Sequence, residues 1–224
     1  MLIKAVAGSK LYGTNTHESD DDFMGIFLST PSQKLGTQYV EQIGSDDDVM
    51  YELAKYVRLA VNGNPTVLQL LWTPQSMWIQ WDSRWEHLQP QLRQLVLSER
   101  CRAAFLGYLD GQRKKLISNR QQRPQLIEKY GYDTKFAMHM VRLAFQGIEV
   151  VSSGTMSLPC KERELLLDIR NGELLFESVM ELTSELEDDL KHCKSCLPPS
   201  VDHTKLSAWM ASTYKEFWGW TSMK

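Results

Sequence analysis

The chain changes its hydrophobic rhythm about a third of the way along. Leu2 to Ala7 is a short apolar run closed by Gly8-Ser9, the pattern of a brief buried strand ending in a turn. Ser9 to Tyr12 fits one helical turn, and Gly13-Thr14-Asn15-Thr16 fits a polar turn after it. From Asp20 to Leu28 the residues read as a second strand. A period of two then places Asp20, Asp22, Met24 and Ile26 on one face and Asp21, Phe23 and Phe27 on the other. Residues 29–46, with Pro31, Gly36, Gly44 and Ser45 among polar neighbours, predict a loop with at most one irregular strand. Asp47 to Tyr51 predicts a third short strand led by carboxylates. Leu53, Tyr56, Val57, Leu59 and Ala60 recur at helical spacing until Asn62-Gly63-Asn64-Pro65 stops them. Thr66 to Trp72 predicts a further helix, with Asn64 as its cap and Pro65 in its first turn.

Beyond Trp72 the strand signal fades. Ser83 to Leu97, Arg100 to Asn119, Tyr132 to Val151, Lys161 to Asn171 and Leu175 to His192 all show helical spacing, with Pro, Gly or Ser between them. The predicted fold class is α+β. A small mixed β-sheet with flanking helices occupies residues 1–73, and a mostly α-helical C-terminal domain occupies 74–224.

Composition narrows the class. A chain of 224 residues, 42% hydrophobic and 24% charged, buries a sizeable core and is neither a disordered nor a fibrous sequence. No run of about 18 apolar residues predicts a membrane span. Met1 to Ala7 meets a glycine before the apolar core of a signal peptide develops, and Cys101, Cys160, Cys193 and Cys196 are too scattered for a disulfide framework. A reduced, cytoplasmic protein is the expectation. The net charge of −3 is uninformative, but its distribution is not. Residues 14–52 hold nine acidic side chains against Lys34 alone, and residues 100–142 hold ten basic side chains against three acidic ones. An acidic front ready for metal and a basic middle suit an enzyme acting on polyphosphates or nucleic acid.

Moving a nucleotidyl group needs divalent ions bridged by carboxylates and a triphosphate held in line with its attacker. Asp20 and Asp22, two apart on a strand, would project from one face as hard oxygen donors, while Asp21 would point away. A third carboxylate from a neighbouring strand would come from Asp47 or Asp48. Gly8 and Ser9, at the head of a helical turn, offer backbone N–H groups to a phosphate. Lys135, His139 and Arg142, spaced by four and three, share one helix face suited to β- and γ-phosphates or a nucleic-acid backbone. Arg113-Lys114-Lys115 and Arg120 to Arg123 form a second basic cluster, read as solvated helix surface in preference to a nucleic-acid track. Cys193 and Cys196 have the spacing of half a zinc site, but no second pair accompanies them.

Gly8-Ser9 followed by Ser19-Asp20-Asp21-Asp22-Phe23 resembles the hallmark of the DNA polymerase β-like nucleotidyltransferase superfamily. The fuller string Gly-Ser-x-x-Tyr-Gly-Thr-x-Thr-x-x-Ser-Asp-x-Asp, met at every fixed position from Gly8 through Asp22, resembles one branch of it. That branch consists of predicted nucleotidyltransferases of bacteria and phages. Tyr51-Glu52-Leu53, Asn64-Pro65, Leu70 to Pro74, Gly131 to Lys135 with His139 and Arg142, and Leu165 to Gly172 resemble later segments of the same branch. The resemblance implies a nucleotidyltransferase core over 1–73 and a helical domain that completes the nucleotide and acceptor site. It implies that Gly8 and Ser9 hold the triphosphate and that Asp20 and Asp22 bind magnesium as two ions, with manganese able to replace it. Asp47, four positions before Tyr51, is the implied third ligand, with Asp48 its rival because a one-residue slip turns a side chain to the opposite face. The implied reaction moves a nucleoside monophosphate from a nucleoside triphosphate to a hydroxyl acceptor, an RNA end among the candidates, and releases pyrophosphate. The alternatives are a non-catalytic nucleotide- or RNA-binding module that keeps the fold, and hydrolysis at the same metals.

Overall fold

The structure is a computed structural model and describes residues 1–17, 19–117 and 123–220. Strands β1 (Ile3–Val6), β2 (Phe23–Phe27), β3 (Gln42–Gly44), β4 (Asp48–Glu52) and β5 (Trp78–Trp81) form one sheet in the order β3-β4-β2-β1-β5. β2 and β4 run parallel, and each other neighbouring pair is antiparallel. Alternation works as expected in β1, where Ile3 and Ala5 are buried and Lys4 and Val6 are not. Met24, Ile26 and Val49 join them in the core beneath the sheet.

Strand limits differ from the reading above in a way that matters. β2 starts at Phe23, so Asp20, Asp21 and Asp22 precede the strand and do not sit within it. The ladder nevertheless reaches back one step: Ala7 N–H donates to the Asp22 carbonyl at 2.8 Å, beyond the Val6–Phe23 pair. On the other side Phe23 N–H donates to the Asp47 carbonyl at 2.7 Å, just ahead of the Phe23–Asp48 pair.

The strand signal does not end at Trp72. Trp78–Trp81 pairs with β1 across a register irregularity at Lys4/Ala5, so the sheet takes an edge strand from beyond residue 74. Its burial is that of a solvated edge, with Ile79 54% exposed, and four residues with no apolar alternation carry little strand signal of their own. The expected loop at 29–46 contains a short helix, α2 (Pro31–Leu35), closed by a capping box between Thr30 and Gln33. α3 (Leu53–Val61) follows β4 directly, and α4 (Pro65–Leu68), capped by Asn64, tightens into a 3₁₀ turn over Gln69–Leu71.

The C-terminal region is helical as expected: α5 (Trp85–Val96), α6 (Arg100–Ile117), α7 (Pro124–Tyr130), α8 (Thr134–Ser153), α9 (Arg163–Arg170), α10 (Phe176–His192) and α11 (His203–Phe217). A single-turn helix, α1 (Gly8–Tyr12), links β1 to this half. α7 and α11 are absent from the sequence reading. For α11 the signal lies in the Asp202 cap and the spacing of Leu206, Met210 and Tyr214. Two cores result. One joins the sheet to α3, α5 and α6 around Tyr56, Trp85 and Phe105, and the other surrounds α8 with Leu109, Met140, Ile169 and Val179. Tyr12 at the end of α1 belongs to the second core, so the Gly8-Ser9 turn is anchored in both halves. Among the described residues no helix is long and apolar enough to cross a membrane.

One carboxylate ties the last helix to the sheet. Glu52, at the end of β4 and fully buried, accepts hydrogen bonds from Lys34 Nζ (2.8 Å), the Tyr39 hydroxyl (2.6 Å), Ala54 N–H (2.9 Å) and the Tyr214 hydroxyl of α11. Burial by itself would raise its pKa, but the bonds from Lys34, Tyr214 and Tyr39 outweigh it and hold the carboxyl below its ordinary value. Because the folded pKa is depressed, the group stabilises the fold above the ordinary glutamate pKa, and that contribution is lost as pH falls through the folded value. Glu52→Gln is expected to cost about 3 kcal/mol near neutral pH, since it leaves the Lys34 charge without its buried partner. The gap from wild type in urea denaturation should close below pH 4, and a gap that stays constant with pH would refute this account.

Candidate active site

Gly8, Ser9, Asp20, Asp22 and Asp47 line one cleft of about 330 Å³, together with Lys135, His139, Arg123 and Arg170. The sheet supplies the first group. The two backbone hydrogen bonds at the Asp22 and Asp47 carbonyls hold those residues beside Ala7 and Phe23, which brings residues far apart in sequence to one edge. Gly8 is required there for two independent reasons. Its φ is +60°, a left-handed conformation that side chains rarely adopt, and a Cβ on it would lie 1.7 Å from the Asp22 Oδ2. The backbone N–H of Ser9 also supports the Asp22 carboxylate.

Acids and cations share the cleft, and Arg123 is paired with Asp133. Burial, with the negative charges of Asp47 and Asp20 nearby, raises Asp22 above the ordinary carboxylate range against the opposing pull of Lys135 and the Ser9 amide. Burial and the positive charges of Arg123 and Arg170 lower Lys135, while Asp22 and Asp20 oppose that shift. Acids and cations therefore each crowd their own kind within one cleft. The three carboxylates are hard oxygen donors of the type a divalent magnesium-like ion takes. They do not close into a cage: among the described residues no three His, Cys, Asp or Glu side chains are gathered closely enough to hold an ion. Burial together with the charges of Asp47 and Asp20 raises Asp22, and a bound cation would offset both.

The neighbouring acids face elsewhere. Asp48 Oδ2 accepts from Lys4 Nζ at 2.6 Å, and Asp48 does not line the cleft. Asp21 pairs with Lys10 on the exposed side, as the alternation predicts.

Helix α8 supplies the cationic side, and its start is set by Asp133. That carboxylate accepts from Lys135 N–H at 3.0 Å and Phe136 N–H at 3.1 Å, and its other oxygen pairs with Arg123 at 3.1 Å. The cap thus fixes both Lys135 and Arg123 at the cleft. The expected cationic trio on α8 is only partly so. Burial, reinforced by the surrounding Arg142, Lys135, Arg123 and Arg170, drives the His139 pKa far below its ordinary value, so its ring is neutral. Arg142 lies deeper, 8% exposed, with its guanidinium 3.9 Å from the Tyr12 ring centroid and Nη1 donating to Gln146 at 2.6 Å. It lines an adjoining cavity and not the carboxylate cleft.

Arg123 and Arg170 are cleft residues that the sequence reading missed as site residues. Arg123 belongs to the second basic cluster, of which Arg120 lies outside the described residues. Arg170 closes α9, outside the basic runs of the sequence, and the packing of α9 on α8 brings it to the cleft. Of the remaining basic run, Arg113 pairs with Glu187 and Lys114 with Asp110.

A glycine-led helical turn after a strand, carboxylates at the paired ends of β2 and β4, and a helical half that closes the cleft define a nucleotidyltransferase-like fold of the DNA polymerase β superfamily. More narrowly, the chain belongs to the RlaP family, described as the RNA repair pathway DNA polymerase beta family, whose model matches residues 1–198. It is also similar to an uncharacterized 38.9 kDa protein from the nrdC-mobD intergenic region of Enterobacteria phage T4. The two are 28% identical over 129 residues, 51% of this chain and 38% of the phage protein, so the match spans well under half of that relative's length. No solved structure matches the chain.

Because ionised Asp22 is disfavoured by its neighbours, its removal as a charge should stabilise the ion-free protein. A raised folded pKa means that stability falls as pH rises from the ordinary aspartate value through the folded one, and the penalty persists at pH 7. Asp22→Asn in the presence of a chelator is expected to gain roughly 0.5–1 kcal/mol at pH 7. The gain should vanish near pH 3.5, and thermal melts across that range would show it. A variant less stable than wild type at pH 7 would contradict the repulsion described for the cleft.

Proposed function

We propose that the chain is a magnesium-dependent nucleotidyltransferase that moves a nucleoside monophosphate from a nucleoside triphosphate to a hydroxyl acceptor and releases pyrophosphate. The observation that carries this reading is the meeting, in one cleft, of Asp20, Asp22 and Asp47 with Arg123, Lys135 and Arg170. Such a cleft is complementary to a metal ion and a polyphosphate together, and to neither alone.

Asp20, Asp22 and Asp47 would hold the ions, which supply Lewis-acid stabilisation of the charge developing on the reacting phosphate. Gly8 lets the backbone approach the triphosphate at the head of α1, beside Ser9. Lys135, Arg123 and Arg170 face the β- and γ-phosphates, where Arg123 is held in place by Asp133. His139, neutral in the free protein, contributes a hydrogen-bonding ring and no charge. An RNA end is the acceptor this reading favours, supported by the RNA repair description of the family. Asp48 is left outside the ligand set on account of its pairing with Lys4.

Purified protein with magnesium is expected to transfer label from an α-labelled nucleoside triphosphate to RNA carrying a free hydroxyl end. Asp20→Asn and Asp22→Asn should each lower that transfer at least about a hundredfold, and Asp48→Asn by less than about threefold. Magnesium or manganese should raise the melting temperature of wild type and not of the Asp20→Asn/Asp22→Asn double variant. Transfer that persists in the double variant removes the proposed metal site. Nucleotide binding without any product across RNA, protein and small-molecule acceptors would establish a non-catalytic binding module instead.

A further inference from the structure

A second cavity, of about 310 Å³, adjoins the carboxylate cleft and shares Gly8, Tyr12, Asp22 and His139 with it. Its size falls at the lower end of small-molecule sites. Two of the side chains that line it are polar, more than nine-tenths buried and incompletely paired. Gln69, 3% exposed in the 3₁₀ turn after α4, has no donor for Oε1. Arg142, 8% exposed, has no acceptor for Nε, although Nη1 is bonded to Gln146. His139 Nδ1, at the boundary of the two spaces, is unpartnered as well. Buried polar atoms without partners destabilise a fold and are uncommon in one without a use for them. Here the three residues that carry them line a single space that opens onto the cleft.

A ligand that answers this wall must bring a donor to the glutamine oxygen and an acceptor to the fixed Nε–H of an arginine. Phosphate offers acceptors alone, so it does not meet both requirements. The hydrogen-bonding edge of a nucleobase carries donor and acceptor side by side, and Met24 and Val49 provide apolar surface for its ring. We propose that this cavity is a nucleobase pocket in which Gln69 and Arg142 read the edge of a base whose phosphates occupy the Asp20, Asp22 and Asp47 cleft. The inference rests on the nucleotide-binding part of the function proposed above, and it assigns selectivity to residues outside the metal and phosphate groups. The base belongs either to the nucleoside triphosphate or to the terminal nucleotide of the acceptor.

Two titration series on the full chain with magnesium separate these sources. The first compares ATP, CTP, GTP and UTP with ribose 5-triphosphate, which lacks a base. The second compares short RNAs ending in each base with one ending in an abasic residue. In one of the series wild type should favour its best base about tenfold over the baseless ligand. Gln69→Leu should narrow that gap to about twofold while leaving affinity for the baseless ligand in place. The series in which this happens identifies the source. Gln69→Glu, which keeps the volume, provides the same comparison if the leucine variant melts early. A wild type that shows no gap in either series, or variants that leave the gap unchanged in both, would overturn the proposal. Its failure is separable from that of the transferase reading. A base gap lost on mutation in a protein that transfers no label keeps the pocket and removes the transferase. Transfer whose base choice ignores Gln69 does the reverse.

Discussion

Two backbone hydrogen bonds, from Ala7 to the Asp22 carbonyl and from Phe23 to the Asp47 carbonyl, set the register on which everything chemical in this protein depends. Neither involves a functional side chain. Together they align three strand ends so that the turn after β1, the lead into β2 and the lead into β4 meet at one edge. A slip of one residue would send Asp48 into the cleft in place of Asp47 and expose the buried set of β4 at the same time. The burial of Val49 in the core beneath the sheet therefore protects the choice of carboxylate. The core and the site are specified by the same constraint, along the same strands.

Against that edge the helical half brings positive charge through one cap. Asp133 starts α8, orients Lys135 through the first turn and holds Arg123 by an ion pair, so an acidic residue with no place among the cleft acids organises the cations. Arg142 and Tyr12 then lock α1 to α8 below the cleft, with the guanidinium over the ring. The result is a rigid frame around an electrostatically strained interior. Preorganisation of this kind places stability in the packing and leaves the cleft charges for a ligand to balance.

Much of the front of the chain was legible from residues alone. Gly8, Ser9, Asp20, Asp22 and Asp47 all fall on the cleft, because a glycine forced by close approach and acids at short spacing leave local marks in a sequence. The marks were imprecise about secondary structure: Asp20 and Asp22 were assigned to a strand that begins only at Phe23. Asp47 was favoured over Asp48 by the resemblance, and its place on the cleft follows from the parallel pairing of β2 with β4, a long-range fact. Arg170 and β5 were illegible for the same reason, since a lone arginine and a four-residue solvated edge acquire meaning only from what packs beside them. His139 was read as a cation because its helix face is basic, but that same basicity, together with burial, removes its charge. The α11 helix was a different matter, as its cap and periodicity were readable and were passed over.

The Glu52 cluster has a consequence for the order of events during synthesis. Lys34 and Tyr39 precede Glu52 in the chain and can meet it early, but Tyr214 lies 162 residues further on. At ordinary translation rates of about 5–20 residues per second, that partner emerges roughly 10–30 s after the strand it completes. Through that interval the β4 strand carries a half-satisfied carboxylate at its end. The sheet that presents the acids is thus completed late, by a helix made long after the residues of the motif.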